Sequence, residues 1–203
     1  FYRSMFSMDA LADSVLTMVG QDEYAPNRDE RGFNPARDYE ALVRLEGPRA
    51  LFDQKIAELR HMYSGALHLC NTEEVRNCDF DDLESFLDIV AEQDVQVVIF
   101  TNPFHRHYWE LLEETGQLEL YTQWTLQLRE LVVRRADSEV ALWEFSSDSP
   151  YIQEMVPASG EMSGPLRWFW EPAHYRRQLG DLMVDAMLAE SCATEPVFGH
   201  RLQ

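Results

Sequence analysis

Apolar residues near the start of the chain recur at helical spacing. Met8, Leu11, Val15, Leu16 and Val19 predict a helix over residues 7–20, with Ser7 as N-cap and Gly20 as stop. Residues 21–38 are polar, carry Pro26, Gly32 and Pro35, and read as a loop. Leu51, Phe52, Ile56, Leu59 and Met62 restore the helical pattern over 48–64. Residues 79–93 predict an amphipathic helix with Asp79, Asp81 and Asp82 in its first turn, where aligned peptide dipoles favour negative charge. The period then changes. Residues 95–100, VQVVIF, are a short apolar run rich in β-branched side chains and predict a buried parallel strand. A helix follows in RHYWELLEETG and stops at Gly116; another spans 121–136, and a second buried strand spans 139–145. A long polar loop then leads to RWFWEPAHY and a last amphipathic helix.

Helix, strand, helix, helix, strand, loop, helix predicts α/β layering with a parallel sheet. Ligands collect at the C-terminal ends of the strands in such sheets. TNPFH leaves the first strand there, and EFSSDS leaves the second. The turn Glu171-Pro172-Ala173-His174, expected to open the last helix, can reach the same edge.

Composition narrows the classes of function. The 203 residues are 45% hydrophobic and 12% aromatic, which suits one globular domain with a sizeable core. A net charge of −19 argues against binding a nucleic-acid backbone or an anionic lipid surface. It suits a neutral or cationic small substrate, a basic partner protein, or solubility alone. No apolar run approaches the roughly 18 residues of a membrane helix, and no signal peptide is visible. Cys70, Cys78 and Cys192 have neither CxxC nor zinc spacing; a Cys70–Cys78 bridge would leave Cys192 over, so the compartment stays open. The chain opens on Phe1 without an initiator methionine, which reads as a domain incomplete at its N-terminus.

His174 leads the candidates for chemistry. A hydrolytic triad needs a histidine that accepts a proton and a carboxylate that fixes its tautomer. Glu171 can be that carboxylate if the turn folds back, with Pro172 restricting its shape. The structural alternative is an acidic helix start beside a surface histidine. Asn102 stands at a strand end, where its amide can face an oxyanion or act as a helix cap. His105 and His107 can line a polar pocket, and no metal is expected because no acidic or Cys partner sits at useful spacing. No glycine-flanked serine marks a nucleophile, and Ser146, Ser147 and Ser149 carry no sign of activation. Trp168, Phe169 and Trp170 read either as a saccharide or acyl pocket or as core.

The motifs NPFH, LWEFS and above all FWEPAHYRRQLGDLM resemble the C-terminal part of SGNH-type hydrolases. The branch is the one similar to alginate O-acetyltransferase and DltD-like cell-envelope proteins. The resemblance implies a flavodoxin-like three-layer α/β/α fold over 1–203, short of its first strand. It implies a serine esterase or O-acyltransferase acting on acyl esters of saccharides, extracytoplasmic, without metal or cofactor, with an envelope protein as a possible partner. His174 would be the base and Glu171 its carboxylate; Asn102 and His105 would lie at the oxyanion or substrate pocket. Two departures stand out. Glu replaces the family's Asp, which moves the carboxylate by about 1.5 Å. The family's serine block is absent and would lie upstream. A non-catalytic module that binds saccharide or assembles an envelope complex is the alternative. A nucleotide- or flavin-binding domain is disfavoured, since no phosphate-cradling glycine loop appears.

Overall fold

The computed structural model describes residues 34–65, 79–93, 95–135, 140–145, 149–188 and 198–202, with single positions at 28, 30, 32, 67 and 69. The expected helix over 7–20, the three cysteines, Ser146 and Ser147 lie outside the described residues. The chain divides into a unit that ends at Ala41 and a unit that begins at Leu42. Every candidate residue named above belongs to the second.

Six helices are present among the described residues. Helix α1, Arg37–Glu46, starts in the stretch read as loop, where Asn34 Oδ1 accepts the Ala36 N–H at 2.9 Å. Helix α2, Pro48–Met62, opens with proline, whose missing N–H costs nothing in a first turn. Helix α3 is Asp79–Ala91, strand β1 Val97–Thr101, α4 Arg106–Glu114, α5 Leu118–Val133 and β2 Val140–Glu144. Two short strands, β3 (Phe169–Glu171) and β4 (His174–Tyr175), precede α6 (Arg177–Leu188), and β5 (His200–Leu202) follows.

Strands β1 and β2 are parallel, with Val97 opposite Val140 and Thr101 opposite Glu144. The expectation of a parallel sheet is corrected at the other side of β2, where β5 runs antiparallel. The architecture is therefore mixed α/β with a small mixed sheet. Strand direction is not written in hydrophobic pattern, and β5 has only Leu202 as an apolar residue.

Period-two alternation sends β2 to two cores. Val140 and Leu142 join Leu87 of α3 and Leu128, Leu131 and Val132 of α5. Trp143 and Phe145 join Phe52 of α2, Phe169 of β3, and Leu179 and Met183 of α6. The second core ties the β3–β4 region to the strand ends. Helices α2 and α4 meet around Leu59, Tyr108, Leu111 and Leu112. A bidentate pair joins their surfaces, Arg60 Nε to Glu114 Oε1 at 3.0 Å and Nη2 to Oε2 at 2.9 Å. Exposed pairs of this kind contribute little.

Gly199 leads into β5 with φ of 88°, and a Cβ there would meet the Phe145 ring. Gly199→Ala therefore combines backbone strain with overpacking. It is expected to lower stability by about 2 kcal/mol or more, seen as a lower urea midpoint at unchanged slope.

Candidate active site

The stretch FWEPAHY is a hairpin, which corrects the expectation that it opens the last helix. Glu171 pairs with His174 across a two-residue turn of Pro172 and Ala173, and α6 begins only at Arg177. Proline fixes φ near −65° at the first turn position. Among the described non-glycine residues only Ala36 has positive φ, so the turn is not of the mirror-image kind that matches strand twist. The misfit shows in the ladder, whose register is irregular between Phe169 and Glu171.

The turn folds back and brings the expected pair together. Glu171 is buried, with 1% of its surface exposed. Its Oε1 accepts a short hydrogen bond from Nδ1–H of His174, and its Oε2 accepts the Ala173 N–H at 2.9 Å. A carboxylate only accepts, so the proton in this bond belongs to Nδ1. The His174 side chain is 61% exposed, and Nε2 has no hydrogen-bond partner among the described residues. The hydrogen bond to Glu171 raises the His174 pKa above its ordinary 6.5, against a smaller lowering by burial. From α2, Lys55 lowers it and Glu58 raises it. These two pair with each other at 2.7 Å, so their charges largely offset.

Asn102 and His105 reach the same turn, by bonds unlike those expected. Nδ2 of Asn102 donates to the Ala173 carbonyl at 3.0 Å and to the Pro103 carbonyl at 3.3 Å. Both amide hydrogens are thereby committed to the fold. The backbone N–H of His105 donates to the Pro172 carbonyl at 3.0 Å. The His105 ring is fully buried; its Nδ1 caps α4 by accepting the His107 N–H at 3.2 Å. The proton is then on Nε2, which donates to the Glu154 carbonyl at 2.7 Å. Burial pushes the His105 pKa down to about 4, so the ring is neutral near pH 7. The ring packs edge-on against Phe52 at 4.9 Å and Phe169 at 5.3 Å between centroids. It holds the site rather than facing it.

Several contributors escape sequence reasoning. The Glu154 carboxylate accepts the N–H groups of Arg167 (2.6 Å) and Trp168 (2.9 Å), which pins the long loop against β3. Tyr108, under the turn, shares a short hydroxyl bond with Tyr63. Burial first, then that bond, holds its pKa well above the ordinary range. No local pattern marks these residues, since their partners lie far away in the chain. The aromatic run divides: Phe169 is core, while the rings of Trp168 and Trp170 are covered by the guanidinium groups of Arg167 and Arg176, at 4.2 Å and 4.4 Å. Ser149 Oγ is buried without a hydrogen-bond partner among the described residues and makes none to His174. Among the described residues no group of three or more His, Cys, Asp or Glu could hold a metal ion.

No family model, curated protein or solved structure matches this chain.

His105 makes a pH prediction with a defined sign. Its folded pKa of about 4 lies below the unfolded 6.5, so its contribution to stability is complete above pH 6.5 and is lost as pH falls toward 4. The loss is at most roughly 3 kcal/mol. Urea titrations at several pH values are expected to show wild type losing more stability across that window than His105→Gln.

Proposed function

We propose that Glu171 and His174 form a general-base dyad of a serine esterase or O-acyltransferase. The observation that supports this is the division of labour on one imidazole. A buried carboxylate holds Nδ1, while the side chain is 61% exposed and Nε2 is unengaged among the described residues. That is the arrangement acyl transfer asks of a base. Nε2 takes the proton of an attacking serine hydroxyl as the oxygen bonds to the acyl carbon. The imidazolium, stabilised by Glu171, then returns the proton to the departing alcohol. Water or an acceptor hydroxyl repeats the cycle on the acyl-enzyme. The serine would come from a segment outside the described residues. An oxyanion donor would also have to come from elsewhere, because the Asn102 amide is already engaged.

The substrate class, acyl esters of envelope saccharides, and an extracytoplasmic setting follow from the SGNH resemblance of the quoted motifs. So does a flavodoxin-like layering, which is compatible with helices contributing to the cores on both sides of β2. A second reading, a non-catalytic saccharide-binding or assembly module, is favoured by one observation. Among the described residues no serine hydroxyl is hydrogen-bonded to His174.

Hydrolysis of p-nitrophenyl acetate by a protein that carries the upstream serine block separates the two. The esterase reading expects His174→Ala to lower kcat/KM by about 100-fold or more. Equal rates would remove His174 from the mechanism. The base works neutral, so activity is expected to rise with pH through a midpoint above 6.5. In Glu171→Gln the rising limb should move to lower pH and the plateau should fall; an unmoved limb contradicts the dyad.

A further inference from the structure

We propose that Asn102 is a positioning residue: its side-chain amide locks the Pro172-Ala173 turn from the end of β1 and thereby keeps Nδ1 of His174 on the Glu171 carboxylate. The inference rests on His174 as base for its catalytic meaning, and on geometry for the rest.

The hairpin has little of its own to hold it. Strand β4 has two residues, the ladder is irregular, and the turn lacks the geometry that hairpins favour. The turn is fixed instead by three hydrogen bonds. One is internal, from the Ala173 N–H to Glu171 Oε2. The other two come from the β1–α4 segment, from His105 N–H to the Pro172 carbonyl and from Asn102 Nδ2 to the Ala173 carbonyl. Ala173 is thus gripped on both sides, by Glu171 at its N–H and by Asn102 at its carbonyl. The Ala173 carbonyl belongs to the peptide that joins Ala173 to His174, so its release would free the backbone that carries the imidazole and let Nδ1 leave Oε1. Freed from this grip, His174 would titrate more like a free imidazole.

Asparagine is suited to this place. It offers two N–H donors on one planar group, and two carbonyls, of Pro103 and Ala173, await them. Leucine has similar size without a donor. Aspartate has the same shape, but its oxygens would face two carbonyl oxygens. The groups around His174 are Glu171 within the turn, Lys55 and Glu58 on α2, and Tyr108 of α4 close to the Glu171 carboxylate. None of them bonds to Asn102, so a neutral change at Asn102 reaches His174 through the turn.

The test is a pH titration of the His174 ring resonances by NMR in the full 203-residue chain, assigned by their loss in His174→Gln. Wild type, Asn102→Leu and Asn102→Asp are compared, with cooperative unfolding confirming each fold. Positioning predicts that the His174 pKa falls toward 6.5 in both variants. Asn102→Asp is the sharper arm. An added negative charge acting through space would raise the His174 pKa, whereas a released turn lowers it. An unchanged or raised value in either folded variant overturns the proposal. Wild type alone supplies a further check: the Asn102 side-chain amide protons should exchange slowly with solvent, and unprotected exchange also overturns it. The outcomes separate from the catalytic reading. If ester hydrolysis ignores His174→Ala while the Asn102 variants lower the His174 pKa, the function fails and the positioning stands. If His174 proves essential and its pKa ignores Asn102, the reverse holds.

Discussion

A carboxylate with 1% of its surface exposed must find hydrogen-bond donors inside the protein or forfeit the hydration it has lost. Glu171 finds two, the Ala173 N–H and His174 Nδ1–H, within three residues of itself. Much of the site follows from this constraint. The chain must reverse at once, which Pro172 assists. The reversed segment must be held in place, which the end of β1 does. His174 is left with one ring edge bound and the other in solvent, and its affinity for protons rises.

The supports are layered behind that pair. Strand β1 ends at Thr101, whose Oγ1 accepts the Phe145 N–H at 3.3 Å and so joins the ends of both parallel strands. Asn102 and His105 leave from this edge and bond the turn. His105 in turn fastens the long loop through the Glu154 carbonyl, and its ring sits between Phe52 and Phe169. The neutral state that burial imposes on His105 is what lets one nitrogen accept a helix N–H while the other donates. A charged ring would have two donors and would lose the cap.

Much of this was legible in the residues. Periodicity gives α2, α3, α4 and α5, and β-branched runs give β1 and β2, because long repeated patterns bury whole faces. The meeting of Glu171 with His174 was readable from spacing and proline. The hairpin was not: FWE and HY are too short to show alternation, and an acidic residue before proline also suits a helix start. Strand β5 stayed hidden for the same reason. Asn102 stands just past the end of β1, and its donors point to the Pro103 carbonyl beside it and to the Ala173 carbonyl, which sequence distance conceals. His105 reads from the sequence as a polar pocket residue because nothing local reveals that Glu154, 49 positions later, supplies its partner.

His174 holds its proton at Nδ1 against the Glu171 carboxylate and leaves Nε2 without a bond among the described residues. The most direct measurement is a long-range proton–nitrogen NMR spectrum of the histidine rings at a pH where His174 is neutral. The expected result is the Nδ1–H tautomer with a downfield, exchange-protected ring proton that disappears in Glu171→Ala. A predominantly Nε2–H tautomer, or a ring proton indifferent to Glu171, would contradict it.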